Sequence, residues 1–477
     1  MTACELFEDS TLLGDTQISG IFCNSQKIKP NGVFVCIKGE HDDGHNYVKD
    51  AEKKGAAVIV ASKKVETTLP VIYCSDTLQA LAELSEKFYG YPSKKLRLIG
   101  VTGTNGKTTV TYLIKSILEA SGKKVGLIGT NKCFVGAHEL SFESTFPTTP
   151  NALELAELFR TMLDMGAEYV VMEVSSHALS LERVYGLEFE VGVFTNLTQD
   201  HLDFHKTMEN YLKAKEKLFD ISKTAVINSD TAAGMKILKN CRIPAITVGI
   251  HDAVIRASLI KLGSSYVEFT AEEDSMPHII TMPIPGKFSV YNALCAVGAA
   301  RALGISYDDI RAGLAGVGNV KGRVELVPTN TDYKVFIDYA HSPDSLSNIL
   351  HTARGFTKGR VIAVFGCGGD RDKTKREPMG KIAGSIADFS IITSDNPRTE
   401  NPVAIIEDIK KGMDKSGGEY IIIVNRKEAI EYALSIAQKN DTVLLCGKGQ
   451  ETYQILGKRK IHFDEREIVK NILNTGD

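Results

Sequence analysis

Residues 103–109 have the composition of a loop that binds phosphate. An apolar run at 98–101 predicts a buried strand before the loop, and a helix is predicted after it over residues 109–120. Backbone N–H groups of such a loop and of the following helix N-terminus point toward an anion. Lys107 would reach the β- and γ-phosphates of a nucleotide, and the Thr108 hydroxyl would bind Mg²⁺. The residues of this loop are Gly103, Thr104, Asn105, Gly106, Lys107, Thr108 and Thr109.

The loop departs from the common phosphate-binding pattern at one position. That pattern, G-x-x-x-x-G-K-S/T, requires glycine at position 101, where this chain has Val101. A glycine-rich turn before an ordinary helix is therefore the alternative interpretation of these residues.

Two polar clusters follow predicted strands beyond the loop. Glu173 comes directly after an apolar run, so its carboxylate could bind Mg²⁺ beside the phosphates, while a capping or solvated glutamate is the alternative. His201 lies in the loop 195–203, where flanking aspartates invite a zinc interpretation. The spacing fits no standard zinc pattern, which favours a polar loop, with a histidine beside Mg²⁺ as the sharper alternative.

A lysine-rich helix, predicted over residues 208–220, contains Lys215. Periodicity alone does not distinguish this lysine from its neighbours. The pattern predicts a solvated helix face.

Charged residues also follow three strands that are predicted in the last third of the chain. Arg371, Asp395, Arg398 and Glu451 form a set of two guanidinium groups and two carboxylates. Such a set could bind a zwitterion, with guanidinium on carboxylate and carboxylate on ammonium, and surface ion pairing is the alternative. The glycine-rich turn at 366–369 gives only a weak hint of nicotinamide binding, because the G-x-G-x-x-G pattern is incomplete.

Alternating strands and helices predict the elements that position these clusters. Apolar strands alternate with amphipathic helices over residues 96–230 and again after residue 323, while residues 241–284 have a β-like texture. We predict an α/β protein of three domains, each with a mostly parallel sheet flanked by helices. These are an N-terminal domain at 1–93, a central P-loop ATPase-like domain at 94–322 and a C-terminal Rossmann-like domain at 323–477, with a linker near Pro92.

Composition narrows the class of protein. The net charge of −3 over 477 residues does not favour nucleic acid or anionic membranes as partners. Nine scattered cysteines without a C-x-x-C pair predict reduced thiols, several of them in the core. We find no signal-peptide pattern and no apolar run of membrane-spanning length, so we expect a cytoplasmic protein without membrane insertion.

The sequence resembles the Mur ligases of peptidoglycan synthesis over essentially all of its length. The loop at 103–109 is similar to the P-loop of that superfamily, in which glycine at the position of Val101 is not expected. The resemblance implies ATP and Mg²⁺ as cofactors, with metal binding by Thr108 and Glu173 and a second Mg²⁺ bound by His201. It also implies that Lys215 matches a lysine that the family carbamylates, whose carbamate is an anionic group near that second ion.

Within the family, the chain is similar to the ligases that extend UDP-MurNAc-L-Ala-D-Glu by meso-diaminopimelate. Further nucleotide contacts are implied for Asn292, Arg323, Asp338 and His341. Contacts to UDP-MurNAc-dipeptide are implied for Ser25, with Asn24 and the stretch 38–44 nearby, and for Thr148, Thr149, Ser176 and Arg183. Contacts to diaminopimelate are implied for Arg371, Asp395, Asn396, Pro397, Arg398, Gly447 and Glu451.

The reaction implied is ATP-dependent amide formation through an acyl phosphate. The expected partners are UDP-MurNAc-L-Ala-D-Glu and meso-diaminopimelate, with no nucleic acid and a monomeric chain. The alternatives are a lysine-adding ligase of the same family, a folylpolyglutamate-type ligase and a P-loop ATPase that serves as a regulatory module. Amino-acid-dependent phosphate release would separate a ligase from the last of these.

Overall fold

The computed structural model describes residues 1–8, 16–39, 42–130, 132–142 and 144–473. The chain divides into two compact units. The first comprises Met1–Thr102, Gly122–Val193 and Ala214–Ala225, and the second comprises Gly103–Ser121, Phe194–Lys213 and Val226–Asp477. The domain boundaries predicted from the sequence, after residues 93 and 322, stay a prediction. Residues 40 and 41 of the stretch 38–44 lie outside the described residues.

The first hundred residues form short strands and helices in alternation. These elements are α1 (Ala3–Phe7), β1 (Ile21–Phe22), β2 (Gly32–Val35), α2 (Val48–Lys53), β3 (Ala56–Ala61), β4 (Val71–Tyr73), α3 (Thr77–Phe88) and β5 (Arg97–Thr102). At the predicted linker, Pro92–Lys95 form a 3₁₀ helix in which Pro92 and Ser93 are buried.

The middle of the chain continues the alternation and then becomes β-rich. Its first elements are α4 (Lys107–Ala120), β6 (Val125–Ile128), β7 (Cys133–Val135), β8 (His138–Leu140), α5 (Ala152–Asp164), β9 (Tyr169–Glu173), α6 (Ser176–Ser180), β10 (Phe189–Phe194), α7 (Leu202–His205), α8 (Met208–Asp220) and β11 (Ser222–Asn228). They are followed by α9 (Ala232–Asn240), β12 (Ala245–Gly249), β13 (Ile255–Leu262), β14 (Val267–Glu273), β15 (Met276–Met282), α10 (Lys287–Ala302) and α11 (Tyr307–Ala315).

The last third of the chain is again a βα succession. Its elements are β16 (Glu325–Val327), β17 (Lys334–Asp338), α12 (Pro343–Phe356), β18 (Val361–Phe365), α13 (Arg376–Ile386), β19 (Phe389–Ile392), α14 (Pro402–Ser416), β20 (Tyr420–Ile422), α15 (Arg426–Ile436), β21 (Thr442–Cys446), β22 (Tyr453–Leu456), β23 (Arg459–His462) and α16 (Glu465–Leu473). In the part of the chain that the structure describes, no helix is long and apolar enough to span a bilayer.

The first unit contains a parallel sheet of order β1-β2-β3-β4. Successive residues of β2 and β3 enter different cores: Val33 and Val35 pack with α1 and α3, whereas Phe34 and Ile59 pack with α2. Burial on both faces explains why these strands are nearly continuous apolar runs. The same unit contains strands in the order β10-β5-β9-β6-β7-β8, of which β5, β9 and β6 are parallel.

The second unit contains the sheet that carries the charged loops. Its strand order is β16-β17-β21-β18-β19-β20, with all neighbours parallel except β16 and β17. Because β21, β18 and β19 are adjacent and parallel, the loops after them emerge at one edge of the sheet. The β-like texture predicted for 241–284 is confirmed as strands β12 to β15, in which β13, β14 and β15 form an antiparallel meander.

Helices α13 and α14 follow two of these loops and cross closely because glycine lies at the crossing. A Cβ on Gly380 would overlap the carbonyl oxygen of Ile409, and a Cβ on Gly412 would overlap that of Glu377. The backbones therefore approach more closely than any side chain would permit. This approach fixes the spacing of the loops that precede the two helices.

We predict that Gly380→Ala lowers the stability of the second unit by about 1–3 kcal/mol, because the added methyl group forces the helices apart. Gly355→Ala is the matched control: Gly355 is exposed in α12, and a Cβ there would meet no atom within 4 Å. Removing a glycine from that helix should raise stability by about 0.5–1 kcal/mol. Urea denaturation measures both, and equal effects of the two substitutions would contradict the packing argument.

Candidate active site

The glycine-rich loop joins β5 to α4, and the N-terminus of α4 has no side-chain cap. β5 ends at Thr102 and α4 begins at Lys107. The N-cap is Gly106, which has a φ of 86° and contributes no side-chain cap. The helix therefore begins without a side-chain cap, as is usual for a loop that binds phosphate.

The segment 195–198 holds this loop in place. The Thr104 N–H donates to the Asn196 carbonyl at 2.9 Å, and the Asn105 N–H donates to the Asn196 Oδ1 at 2.9 Å. The Thr195 hydroxyl donates to the Asn105 carbonyl at 2.6 Å. A Cβ on Gly103 would overlap the Thr195 hydroxyl. Glycine is needed at 103 because the Thr195 side chain packs directly against the Gly103 backbone.

Other predicted nucleotide residues gather at the start of α4. The Lys107 ammonium donates to the carbonyls of Gly103 and Thr104 at 2.9 and 2.8 Å. The Arg323 Nη2 donates to the Thr108 hydroxyl at 3.1 Å. A Cβ on Gly106 would overlap the Asn292 side-chain oxygen, so Asn292 borders the loop. Thr108 and Thr109 are buried in the first turn of α4.

Asp338 organises the segments around it through backbone contacts. Its carboxylate accepts the N–H of Val324 at 2.7 Å and the N–H of Ala340 at 2.8 Å. Burial raises the pKa of this carboxyl group. These bonds place Arg323 over the ring of Tyr339, 4.8 Å from its centre. In the described structure, Asp338 therefore positions its neighbours.

Asp200 joins two predicted histidines. Its Oδ2 lies 3.6 Å from the His201 Nε2 and 4.0 Å from the His341 Nε2. Burial raises its pKa, but the charges of His201, His341 and Lys375 outweigh this and bring it to about 2. Burial and the charge of Lys375 lower the pKa of His341 to about 4. The sequence patterns do not single out Lys375, because its proximity depends on the fold.

Within the described residues, no group of three or more His, Cys, Asp or Glu side chains is arranged to hold a metal ion. Of the predicted metal residues, Glu173 and Lys215 belong to the first unit, and Thr108 and His201 belong to the second.

In the first unit, Glu173 and the predicted dipeptide residues lie close together. Glu173 is buried at the end of β9 and accepts bonds from the Thr130 N–H at 2.8 Å and the Thr130 hydroxyl at 3.1 Å. The buried Thr149 hydroxyl donates to the Glu173 carbonyl at 3.0 Å. Thr148 has a φ of 70° and shares a hydroxyl contact of 2.9 Å with Thr130. The structure therefore brings Thr148, Thr149 and Glu173 together.

Arg183 extends this group. Its Nη1 donates to the Thr149 carbonyl at 3.2 Å, and its guanidinium lies 3.8 Å from the centre of the Phe146 ring. Burial lowers the pKa of Arg183 to about 10. Ser176 is buried in α6. Ser25 lies after β1 in a 3₁₀ helix capped by Asn24, and no hydrogen bond of the described residues joins it to this group.

Lys215 is buried, with 1% of its surface exposed, so the solvated face that periodicity predicts is wrong at this position. Tyr211 and Leu218 are also buried, and they lie four residues before and three after Lys215 on α8. This spacing places all three side chains on one helix face. The sequence pattern alone does not single out Lys215, because a lysine in a lysine-rich helix is typical of a solvated surface.

Three loops of the second unit form what we call the strand-end cluster. Its residues are Arg371, Asp395, Asn396, Pro397, Arg398, Gly447, Lys448 and Glu451. The glycine-rich turn after β18 lies against the loop after β19: a Cβ on Gly366 would overlap the Thr393 carbonyl, and one on Gly369 would overlap the Pro397 carbonyl. These contacts account for the glycines that otherwise hint at a dinucleotide site.

The Arg398 guanidinium and the stem of Arg371 both lie beside this turn. A Cβ on Gly368 would lie 3.0 Å from the Arg398 Nη1 and 3.9 Å from the Arg371 Cγ. The Arg398 Nη1 donates to the Gly369 carbonyl at 2.8 Å. In the described part of the chain, neither arginine has a carboxylate within 4.0 Å, so the surface ion pairing considered above is not observed.

Asp395 is buried, and one oxygen of its carboxylate accepts no hydrogen bond from the described residues. Its Oδ1 accepts the Asn396 N–H at 2.6 Å, whereas its buried Oδ2 has no hydrogen-bond partner among the described residues. Burial raises its pKa, but Lys448 and Arg426 outweigh this and keep the pKa below its ordinary value. A Cβ on Gly447 would lie 2.7 Å from the Asp395 Oδ2, so glycine keeps space beside this carboxylate.

Glu400 ties the turn to α13. It accepts the Asp370 N–H at 2.6 Å and the Arg376 Nη2 at 2.9 Å. Arg376 is itself buried and also donates to Asp408 at 3.2 Å. The hydrogen bonds from Arg376 lower the pKa of Glu400 to about 2.

Family models match most of the chain. The model for the catalytic domain of the Mur ligase family matches residues 17–89, the Mur ligase middle domain matches 101–300, and the Mur ligase glutamate ligase domain matches 322–449. The chain belongs to the Mur ligase family. The family confirms the predicted fold class of three α/β domains, with a central P-loop domain and a C-terminal Rossmann-like domain.

Similar Mur ligases have one enzyme name in common. The UDP-N-acetylmuramoyl-L-alanyl-D-glutamate–2,6-diaminopimelate ligase 1 of Clostridium acetobutylicum is 48% identical over 465 residues, which cover 96% of this chain and 95% of the relative. The 2,6-diaminopimelate ligases of Caldanaerobacter subterraneus and Bacillus licheniformis are 48% and 45% identical, with the same coverage.

Solved Mur ligase structures resemble the whole chain. A UDP-N-acetylmuramoyl-L-alanyl-D-glutamate–2,6-diaminopimelate ligase matches with a TM-score of 0.71 at 28% identity, covering 100% of this chain and 99% of the other. MurF from Acinetobacter baumannii matches with a TM-score of 0.70 at 17% identity, covering 99% and 98%. A Mycobacterium tuberculosis folylpolyglutamate synthase complexed with ADP shares the fold at 18% identity, with a TM-score of 0.66, covering 78% and 92%.

We predict that Glu400→Gln destabilises this Mur ligase in a pH-dependent way. The folded-state pKa of about 2 lies below the ordinary 4.5, so the carboxylate stabilises the fold above pH 4.5 and loses this effect as the pH falls toward 2. The cost of the substitution should be roughly 1–2 kcal/mol at pH 7, after allowance for solvent screening, and should shrink below pH 4.5. Urea midpoints at pH 7, 5 and 4 measure it.

The control for this substitution is Glu407→Gln, on an exposed position of α14. It should change the urea midpoint little at any of these pH values. A cost for Glu400→Gln that is constant from pH 7 to pH 4 would contradict the assigned pKa.

Proposed function

We propose that this chain is a cytoplasmic, ATP-dependent ligase that adds meso-2,6-diaminopimelate to UDP-MurNAc-L-Ala-D-Glu in peptidoglycan synthesis. Relatives of 45–48% identity over nearly their full length carry the name of this reaction. The structural observation that carries the proposal is Arg398, a half-buried guanidinium without a carboxylate partner among the described residues, with the stem of Arg371 beside the same glycine turn.

The chemistry of meso-diaminopimelate suits Arg398. The molecule has a second amino-acid centre, with a carboxylate and an ammonium, that L-lysine lacks. Arg398 pairs with the distal carboxylate, and Asp395 or Glu451 pairs with an ammonium. The unsatisfied Asp395 Oδ2 and the space kept by Gly447 support the acceptor side of this arrangement.

ATP fits the loop at 103–109. The N-terminus of α4 has no side-chain cap, Lys107 lies on the loop carbonyls, and Arg323 reaches Thr108, so donors and positive charge surround the same point. Lys107 and Arg323 stabilise the charge on the phosphoryl group that is transferred, which is mainly a matter of positioning and electrostatics. Asn292 and His341 border the nucleotide.

Thr108 and Glu173 are proposed as Mg²⁺ ligands and His201 as a ligand of a second Mg²⁺, for which the carbamate of Lys215 would be a further anionic group. Carboxylate, hydroxyl and imidazole groups are compatible with a divalent ion, which would screen phosphate charge when bound. Glu173 has the preorganisation that such a ligand needs, because Thr130 holds both of its carboxylate oxygens.

The acceptor, UDP-MurNAc-L-Ala-D-Glu, belongs with the first unit. Ser25 contacts its uridine end, and Thr148, Thr149, Ser176 and Arg183 contact its dipeptide end. A carboxylate oxygen of D-Glu attacks the γ-phosphorus of ATP and ADP leaves, which gives an acyl phosphate. The uncharged amine of diaminopimelate then attacks the acyl carbon, phosphate leaves with the bonding electrons, and the amine proton passes to solvent or to phosphate.

Amino-acid-dependent release of ADP and phosphate tests the proposed function. Purified protein is mixed with ATP, Mg²⁺ and UDP-MurNAc-L-Ala-D-Glu, and a panel of amino acids is added singly. We expect turnover with meso-diaminopimelate and little with L-lysine. ATP hydrolysis that ignores the amino acid would instead indicate a regulatory P-loop ATPase, and equal turnover with L-lysine would indicate the lysine-adding alternative.

Arg398→Ala should lower kcat/KM for meso-diaminopimelate by about 100-fold or more, because the substrate carboxylate would be left without its cation. The KM for ATP should change little. Arg242→Ala, at an exposed position of the same unit, is the matched control and should behave as the wild type. Retention of diaminopimelate activity in Arg398→Ala would contradict the assigned role.

Lys215 should be carbamylated in the active enzyme. Intact-mass and peptide measurements under bicarbonate should find the modification at Lys215, and Lys215→Ala should lose activity that short-chain carboxylic acids partly restore. Lys213→Ala, at an exposed position of the same helix, should retain activity without added acid. An unmodified Lys215 in fully active protein would exclude the carbamate.

A further inference from the structure

Lys448 is a fully buried lysine inside the strand-end cluster. It follows β21 and Gly447, and none of its side-chain surface is exposed. An ammonium group in such a place costs free energy unless anions and acceptors surround it. The family resemblance gave this residue no role, and the sequence patterns do not separate it from surface lysines.

The ammonium of Lys448 links the loops after β19 and β21. Its Nζ donates to the Glu451 Oε2 at 2.9 Å and to the Asn396 Oδ1 at 3.1 Å. The Asn396 Nδ2 donates to the same Glu451 Oε2 at 2.8 Å. Asn396 and Lys448 thus hold one oxygen of Glu451 from two directions.

The other oxygen of this carboxylate is left for a ligand. In the described part of the chain no hydrogen bond reaches the Glu451 Oε1, and 15% of the side-chain surface of Glu451 remains exposed. Lys448 lies beneath it without exposed surface. A ligand in the cluster can therefore contact Glu451 directly, whereas Lys448 can affect the ligand only through the Glu451 carboxylate.

A second buried cation serves a different carboxylate. Arg426 donates to Glu465 at 2.9 Å and to the Cys446 carbonyl at 2.7 Å, and its Nη1 lies 4.0 Å from the Asp395 Oδ2. Lys448 also lowers the pKa of Asp395, but its hydrogen bonds go to Glu451 and Asn396. The loss of Lys448 should therefore act mainly on Glu451, because Asn396 keeps its bond from the Ile455 N–H at 3.0 Å.

We propose that Lys448 is a positioning residue for the amino-acid substrate, which fixes the Glu451 carboxylate so that Oε1 receives the substrate ammonium. This inference rests on the proposed function, since it takes Glu451 as a contact of diaminopimelate. A charge-assisted bond to a buried carboxylate is strong and directional, so it restricts the rotamers of Glu451. Without it, the carboxylate can turn away from the substrate, and binding must restore the lost order.

The test combines three variants with steady-state kinetics for all three substrates. Lys448→Met removes the charge and keeps a side chain of similar length, Glu451→Gln removes the carboxylate, and the third variant carries both substitutions. Lys439→Met, at an exposed position of the same unit, is the matched control. Lys448→Arg asks whether a different cation rescues the function. Circular dichroism and urea midpoints record the folding of each protein.

We expect Lys448→Met to raise the KM for meso-diaminopimelate about tenfold or more, with the KM for ATP and kcat at saturating amino acid changed by less than about threefold. Lys448→Arg should recover part of the loss. The double variant should be less than about twofold worse than Glu451→Gln alone, since Lys448 then has no carboxylate to position. A purely structural lysine would lower stability without this selective change in KM.

Two results would overturn the inference. One is an unchanged KM for diaminopimelate in folded Lys448→Met. The other is a double variant whose KM exceeds that of Glu451→Gln by the full factor of the single substitution. Should Lys448→Met fail to fold, the double variant still decides, because it leaves no unpaired carboxylate at position 451. Failure of the proposed function would look different: wild-type protein would show no diaminopimelate-dependent turnover.

Discussion

The strand-end cluster depends on close backbone contacts that only glycine permits. Gly366 and Gly369 lie against the carbonyls of Thr393 and Pro397, where any Cβ would overlap an oxygen atom. The turn after β18 can therefore lie flat on the loop after β19, which brings the Arg398 guanidinium onto the Gly369 carbonyl. Gly380 of α13 and Gly412 of α14 make the same kind of close backbone contact. They hold the helices that follow the two loops at a fixed spacing.

The cations around the strand-end cluster differ in whether a carboxylate pairs with them. The buried cations are matched: Arg376 by Glu400 and Asp408, Arg426 by Glu465, and Lys448 by Glu451. The arginines that face the cluster, Arg371 and Arg398, have no carboxylate partner in the described part of the chain. Arg371 is exposed, whereas Arg398 is half-buried. Because an unpaired half-buried charge is costly, the surface at Arg398 binds an anionic ligand more strongly than a neutral one of the same shape.

The sequence predicts the strands of this arrangement but not its buried lysines or its short hairpins. Apolar runs before Gly366, Asp395 and Gly447 were sufficient to place three strands, and parallel pairing then brings their loops to one edge. Periodicity could not show that Lys215 and Lys448 are buried, because a lysine in a helix or after a strand is usually solvated. The hairpins β7–β8 and β22–β23 were also missed, since strands of three or four residues carry too few alternations to be recognised.

Arg398, which has no carboxylate partner in the described part of the chain, should select an amino acid with a second carboxylate. In a competition assay, wild-type protein is given ATP, Mg²⁺, UDP-MurNAc-L-Ala-D-Glu and equal concentrations of meso-diaminopimelate and L-lysine, and the products are separated by mass. We expect the product carrying the additional carboxyl group to exceed the lysine product by about 100-fold. Comparable amounts of the two products would contradict it.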